Sequence, residues 1–259
     1  MSMLGRVWLG LLLAFLYLPV AVLVLMAFND SPLYALPFVF SLRWFEALPG
    51  DEAILSATRN SVLIALLTCV VATSIGTLAA LALSRSRFRG RTVLQLLLLP
   101  PIAIPWLIIG TAMLVFFYWT GIGRGLHSMV IGHVALAIPY VVLVVGPGLH
   151  GLPENVEDAA KSLGSTPLHA FFAVTLPLLA PSIAAAALFA FAVSLDQFVI
   201  SYFLSEPGVT TLPVQIYGAI RSGFTPEINA ISTVLLAASL LLLVLFARLA
   251  DIGGFVGRR

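Results

Sequence analysis

An acidic residue and an amide, Asp196 and Gln197, lie in an otherwise uncharged stretch that runs from Ser182 to Phe203. A carboxylate at the centre of a bilayer costs about 2.5–3.5 kcal/mol on insertion scales, so such a group faces a cavity or a protein partner rather than lipid. We therefore expect Asp196 to line a solute pathway, with Gln197, Ser194 and Ser201 beside it. A structural hydrogen bond from Asp196 to a neighbouring helix is the alternative.

The longest polar interval in the second half of the chain begins near Pro153 and has the pattern of a short surface helix. Proline suits the first turn of a helix, and the carboxylates of Glu157 and Asp158 are favourable near its N-terminus. The small Ala159-Ala160 pair would let another backbone approach closely, and Gly164 fits the left-handed residue that ends many helices. An ordinary loop helix between two membrane spans is an equally good interpretation of these features alone.

A second helix is predicted to follow directly after this one. Ser165 or Thr166 can cap it, and Pro167 suits its first turn. The helix should include Leu168 to Val174 and stop near Pro177, leading the chain back into the membrane.

Enzymatic chemistry in a membrane would need a nucleophile and a base, or metal ligands, that converge in one site. The single cysteine, Cys69, excludes an intrachain disulfide and a cysteine metal cluster. The sequence has no HExxH, GxSxG or P-loop motif, so the chain does not hydrolyse ATP by P-loop chemistry. A net charge of +2 is too small to suggest nucleic-acid binding. Four histidines lie at different predicted depths: His127, His133, His150 and His169.

The composition is that of a polytopic membrane protein, with 61% hydrophobic and only 9% charged residues. Soluble domains carry about 25% charged residues, and about 20 apolar residues are enough to span a bilayer as a helix. We predict an all-α protein with six transmembrane helices. The predicted spans are Val7–Phe28, Ser61–Leu83, Thr92–Trp119, Met129–Leu149, Ser182–Phe203 and Ala230–Ala247.

Three features of these spans lead to further expectations. The first span is expected to be retained rather than removed as a signal peptide, because it is long and no clear cleavage site follows it. Pro100, Pro101 and Pro105 should break or kink the third span. His133, in the fourth span, could line a pathway, although a position near a span end more often meets the membrane interface.

Four arginines between Ser84 and Arg91 are the clearest orientation signal, because short cytoplasmic loops are rich in lysine and arginine. This rule predicts that both termini, the arginine loop and the interval at 153–164 are cytoplasmic. Anionic-lipid binding is the alternative explanation of the arginine loop, which orientation alone suffices to explain.

The polar interval also resembles a family motif. It is similar to the EAA motif of permease subunits of binding-protein-dependent ATP-binding-cassette importers. The matching pattern is Asp158-Ala159-Ala160, three residues, Gly164, nine residues and then Val174-x-Leu176-Pro177. Asp158 replaces the usual glutamate and Val174 the usual isoleucine. In that family the segment is the coupling helix, which docks in a cleft of the cytoplasmic ATPase.

Further segments resemble the spermidine/putrescine subgroup of this family, and specifically the second of its two permeases. The run Leu195–Phe203 is similar to the subgroup's L-D-D-F-V-V-S-x-F, with Gln197 in place of the second acidic residue. Residues 212–218 and 226–230 resemble its L-P-x-x-I-Y and P-E-x-N-A segments. The resemblance implies import of a polyamine. An amino-acid derivative, an organophosphonate or a metal complex is the alternative, because the subgroup includes permeases for other solutes.

The resemblance implies a type I importer permease fold. The first helix and an external loop would occupy residues 1–59, and the transmembrane domain would occupy 60–248, with a coupling helix at about 153–164. A cytoplasmic tail would follow at 249–259. It implies an inner-membrane protein that binds no cofactor or metal, while partner ATPases use ATP and magnesium. The expected partners are two ATPases, a second permease and a periplasmic binding protein. A channel, the remaining hypothesis, leaves the EAA-like segment unexplained. The implied ATPase-coupling residues are Glu157, Asp158, Ala159, Ala160 and Gly164.

Overall fold

The computed structural model describes residues 3–31, 36–86, 88–98, 100–152, 156–222 and 227–256. The predicted helix start at Pro153, the loop residue Arg87, Pro226 and the tail residues Arg258 and Arg259 lie outside these ranges. The α-helices are α1 Met3–Ala27, α2 Arg43–Ala47, α3 Glu52–Arg85, α4 Arg91–Leu97, α5 Pro100–Ala103, α6 Trp106–Trp119, α7 Leu126–His150, α8 Val156–Ser162, α9 Pro167–Ala170, α10 Leu176–Leu195, α11 Val199–Leu204, α12 Leu212–Ser222 and α13 Glu227–Val256.

Four helices in the described ranges are long and apolar enough to cross a membrane: α1, α3, α7 and the continuous helix Pro167–Leu195. A fifth span results if the bent pair Arg91–Ala103 and Trp106–Trp119 is counted as one. The sixth predicted span lies within α13, a helix of 30 residues from Glu227 to Val256. The all-α membrane architecture is therefore confirmed, with four or five spans established by length and composition.

The predicted break in the third span is confirmed. The helix direction bends by 112° between the two arms on either side of Ile104-Pro105. Pro105 has the extended backbone angles φ −55° and ψ 131° and precedes the first residue of α6. Because proline has no N–H and its ring clashes with the preceding turn, the helix cannot continue through this position.

The predicted fifth span, Ser182–Phe203, is misplaced. The helix begins at Pro167 and ends at Leu195, and α11 forms a separate short helix after it. The helix passes Pro177 by means of a π-helical turn at Phe171–Thr175, in which the Leu176 N–H bonds to the Phe171 carbonyl. This wider turn accommodates the missing donor of the proline, so the expected stop near Pro177 does not occur.

The described residues cluster into two compact units, Met1–Ser56 with Gln215–Leu243, and Ala57–Val214 with Val244–Arg259. In the first unit, the chain after α1 is held by the Trp44 indole N–H, which donates to the Asn29 carbonyl at 2.7 Å. Arg43 lies over the Trp44 ring at 4.2 Å and forms an ion pair with Asp30 at 3.3 Å. The loop after α1 is therefore ordered by polar contacts.

The second unit has a core built from α3, α7, α10 and α11. One buried cluster joins α3, α7 and α10, and another joins α3, α6, α7 and α11. Small residues let these helices approach closely, as expected in membranes. A Cβ on Gly76 would lie 2.6 Å from the Cβ of Val141, and one on Gly148 would overlap the Ser182 hydroxyl. These contacts hold α7 firmly against α3 and α10.

Candidate functional site

The EAA-like segment forms α8, Val156–Ser162, which ends as the sequence predicts. Gly164 has a left-handed φ of +91°. Its N–H donates to the Lys161 carbonyl at 2.9 Å, and the Ser165 N–H donates to the Ala160 carbonyl at 3.1 Å. This pair of bonds is the Schellman motif, which satisfies the last carbonyls of the helix and turns the chain sharply.

Charged residues attach α8 to the end of α3. Glu157 forms an ion pair with Arg85, the last residue of α3, while Lys161 pairs with Asp158 at 3.3 Å. The end of α3, where the arginine loop begins, and α8 are therefore on the same side of the second unit. This agrees with the prediction that both loops share one side of the membrane.

The outer surface of this segment is open to a partner. The side chain of Asp158 is 75% exposed, and Leu163 is 90% exposed at the sharp turn. Ala159 is also exposed, whereas Ala160 is half-buried. Asp158, Ala159 and Leu163 therefore lie on the surface of this chain.

The helix after the turn begins as predicted, with Thr166 as its cap. The Thr166 hydroxyl accepts a hydrogen bond from the His169 N–H at 3.3 Å, and Pro167 occupies the first turn. Because the helix then continues unbroken to Leu195, it connects the α8 region directly to Asp196.

A buried histidine is the centre of the polar contacts at the other end of that helix. His133 in α7 is 2% exposed. Its Nδ1 lies 2.8 Å from the Ser194 Oγ, and its Nε2 lies 3.0 Å from the Ser201 Oγ. The expectation that His133 more often meets the membrane interface is wrong, because the side chain joins α7, α10 and α11 in the interior.

The hydrogen-bond directions define the tautomer of His133. The Ser201 hydroxyl donates to the Gln197 carbonyl at 2.8 Å, so its oxygen can only accept from Nε2–H. Nδ1 of a neutral ring is then an acceptor, and the Ser194 hydroxyl donates to it. The imidazole is thus fully bonded in its neutral form, as a buried polar group requires.

The four predicted pathway residues separate into two groups. Asp196 is exposed in the turn after α10, and no described residue forms a hydrogen bond or ion pair with its carboxylate. Ser194, Gln197 and Ser201 are buried. The Gln197 Oε1 accepts from the Val199 N–H at 3.2 Å, while its Nε2 has no partner in the described chain. Of these four side chains, only that of Asp196 is exposed on the surface of this chain.

Sequence reasoning missed the link between His133 and the two serines. No signal in the sequence pairs these residues, because the serines lie 61 and 68 residues after His133. The ranges that the structure covers contain no group of three histidine, cysteine, aspartate or glutamate side chains that could hold a metal ion.

The fold is that of the membrane subunits of type I ABC importers. The chain matches a bacterial ABC transporter for import of the acidic polysaccharide alginate with a TM-score of 0.74 and 17% identity, over 96% of this chain and 93% of that chain. It matches the inward-facing MetNI methionine ABC transporter with a TM-score of 0.63 and 17% identity, over 83% of this chain and 99% of that one.

The chain belongs to the family of binding-protein-dependent transport system inner membrane components, whose model matches residues 72–252. It is 38% identical to the putrescine transport system permease protein PotI of Escherichia coli (strain K12), over 86% of this chain and 82% of the relative. It is 33% identical to the spermidine/putrescine permease PotC of the same strain, over 89% and 88%. PotC of Haemophilus influenzae is 34% identical, over 90% of each chain.

This membership makes the chain a permease subunit of an ABC importer and a multi-pass protein of the inner membrane. In such systems ATP hydrolysis belongs to a separate subunit, so the expectation of a transport subunit rather than an enzyme is confirmed. The resemblance of the EAA-like segment to this family is confirmed as well.

Proposed function

We propose that this chain is one of two permease subunits of an importer for a polyamine such as putrescine or spermidine, and that it forms half of the translocation path. The observation that supports the substrate class is the 33–38% identity, over most of both chains, with permeases named for putrescine and spermidine/putrescine.

The chemistry around Asp196 suits an ammonium ligand. Its exposed carboxylate can accept hydrogen bonds from a primary ammonium group, and Phe198 and Tyr202 follow it in sequence with ring centroids 5.5 Å apart. Tyr202 is 43% exposed. Aromatic faces attract cations, so the second ammonium group of a diamine has a potential contact that needs no second carboxylate.

Gln197 supports the alternative of another small solute. The subgroup pattern has an acidic residue at this position, whereas here a buried amide bonds within the turn. An amino-acid derivative, an organophosphonate or a metal complex would then be the cargo. Substrate panels in the uptake assay below separate the two alternatives.

The energy for transport comes, in this proposal, from two ATPase subunits that bind ATP and magnesium. They contact α8 through the exposed Asp158 and Leu163, while Ala159 and Ala160 allow close approach of the ATPase backbone. Closure of the ATPases on ATP moves α8 and changes the packing of the two permeases between inward-facing and outward-facing states.

The proposed orientation places both termini, the arginine loop and α8 in the cytoplasm. Loops at 29–59 and 205–229 then face the periplasm and contact the binding protein. The excess of arginine in the loop that begins at Arg85 supports a cytoplasmic position for this loop. Because Arg85 forms an ion pair with Glu157, α8 would lie on the same side.

Uptake of labelled putrescine and spermidine into proteoliposomes that contain the complete importer tests the substrate proposal. We expect Asp196→Asn to lower polyamine uptake about tenfold, because a hydrogen bond to a charged group contributes about 1.5–3 kcal/mol. Asp196→Glu, which keeps a carboxylate at this position, is the control and should reduce uptake less than twofold. Unchanged polyamine uptake by Asp196→Asn would refute a role of Asp196 in the pathway.

Substitution of Gly164 tests the coupling assignment. Gly164→Val forces a branched side chain into a left-handed conformation that costs about 1–2 kcal/mol, so the turn after α8 should deform. We expect loss of ATP-driven uptake with normal membrane insertion and weaker co-purification of the ATPase. Gly164→Asn, which tolerates that conformation, should retain most of the activity. Equal uptake by the valine variant and the wild type would contradict the assignment.

A further inference from the structure

A pocket of about 310 Å³ lies between the end of α3, the helix α4 and the last turns of α7. It belongs to neither candidate site described above. Its lining is polar at the helix ends and apolar further in. The polar residues are Ser84, Arg91, Gln95 and His150, and the apolar residues include Ile102 and Leu143.

The lining follows one face of α7 for a considerable length. Pro139, Leu143, Gly146 and His150 all contribute, at intervals of three or four residues. At 1.5 Å per residue, this stretch is about 16 Å long, from the helix end towards the middle of the membrane. The pocket is therefore an elongated groove with a polar mouth and an apolar floor.

The charge at the mouth of the groove is positive. Arg85 is paired with Glu157, but Arg91 has no carboxylate within ion-pair distance among the residues that the structure covers. Gln95 lies one helical turn after Arg91 in α4. The His150 ring donates through Nδ1 to the Gly146 carbonyl at 2.8 Å, so the Nε2 of the neutral ring is an acceptor and Arg91 carries the positive charge at the mouth.

We propose that this groove binds one anionic phospholipid, with its phosphate at Arg91 and Gln95 and an acyl chain along the α7 face. A guanidinium group forms paired, charge-assisted hydrogen bonds with a phosphate. The apolar floor has the length and character that suit a hydrocarbon chain rather than a soluble anion. Arg91 thus gains a ligand in addition to its effect on orientation.

Gly146 provides a steric test of the groove. A Cβ at this position would meet no atom within 4 Å, so a larger side chain can enter the groove without displacing protein atoms. Gly146→Leu also replaces a poor helix former with a good one, so the helix itself should tolerate it. The variant should fill the space that the acyl chain would occupy.

Native mass spectrometry of the delipidated full chain tests the proposal. The protein is titrated with palmitoyl-oleoyl phosphatidylglycerol, with the matching phosphatidylcholine, and with inorganic phosphate as competitor. The first phosphatidylglycerol should bind about tenfold more tightly than phosphatidylcholine. Arg91→Gln should lower that affinity about fivefold, and Gly146→Leu should remove the preference. Arg89→Gln, which removes an arginine of the same loop outside the groove, should change it less than twofold.

Three results would overturn the proposal. An equal loss in Arg91→Gln and Arg89→Gln would indicate diffuse attraction to the basic loop. Displacement of phosphatidylglycerol by inorganic phosphate would indicate a site for a soluble anion. Wild-type lipid preference in Gly146→Leu would show that no acyl chain occupies the groove.

Discussion

Replacing His133 with leucine removes both hydrogen bonds of the buried imidazole while keeping a side chain of similar volume. The Ser201 hydroxyl keeps its bond to the Gln197 carbonyl and loses only a donor to its oxygen. The Ser194 hydroxyl loses its acceptor and must turn back towards its own helix, which serine side chains can do. The α7 contacts to α10 and α11 should weaken together.

The magnitude follows from two bonds of 2.8 and 3.0 Å. Side-chain hydrogen bonds between membrane helices average about 0.6 kcal/mol and reach about 1.7 kcal/mol. We therefore expect His133→Leu to lower the free energy of unfolding by about 1–3 kcal/mol. His133→Gln keeps a donor for Ser201 and should recover roughly half of that loss.

Reversible unfolding in mixed micelles, followed by the loss of helical circular dichroism, measures this difference. A double-mutant cycle of His133→Leu with Ser194→Ala isolates the bond to Ser194, and its coupling energy should lie at about 0.6–1.7 kcal/mol. Coupling of nearly zero, together with a loss below about 0.5 kcal/mol for His133→Leu, would refute the assigned hydrogen bonds.

Two further predictions concern helix contacts in the second unit. Gly148→Ala should lower the free energy of unfolding by about 1–3 kcal/mol in the same assay, because its Cβ would overlap Ser182. Gly146→Ala on the same helix is the control and should be neutral or stabilising. Similar losses in both variants would exclude a steric cause. Arg85→Glu or Glu157→Arg alone should reduce ATP-driven uptake at least twofold, because either change separates α3 from α8. The double variant restores opposite charges and should recover at least half of the lost uptake. Uptake that stays low in the double variant would show that the ion pair does not contribute to transport.

Local chemistry made much of the α8 region predictable. A glycine that takes a positive φ and a threonine that caps the next helix act through their own backbone neighbours, so Gly164 and Thr166 were correctly placed. The break before α6 was predictable for the same reason, because Pro105 acts on the turn that contains it.

Features that depend on distant residues were not predictable. The π-helical turn before Pro177 cannot be read from hydropathy, and missing it moved the predicted fifth span by fifteen residues at its start, from Pro167 to Ser182. The interior position of His133 depends on Ser194 and Ser201, which lie 61 and 68 residues away in sequence. The pattern of polar and apolar residues in a single sequence does not specify which distant residues become partners.

The continuous helix Pro167–Leu195 has the geometry of a lever. At 1.5 Å per residue, its 29 residues form a rod of about 44 Å, with α8 at one end and Asp196 at the other. A tilt of about 10° about the α8 end would displace the Asp196 end by about 8 Å by the same geometry. The π-helical turn at Phe171–Thr175 lies near the α8 end of this rod, so the longer part of the helix lies between the turn and Asp196.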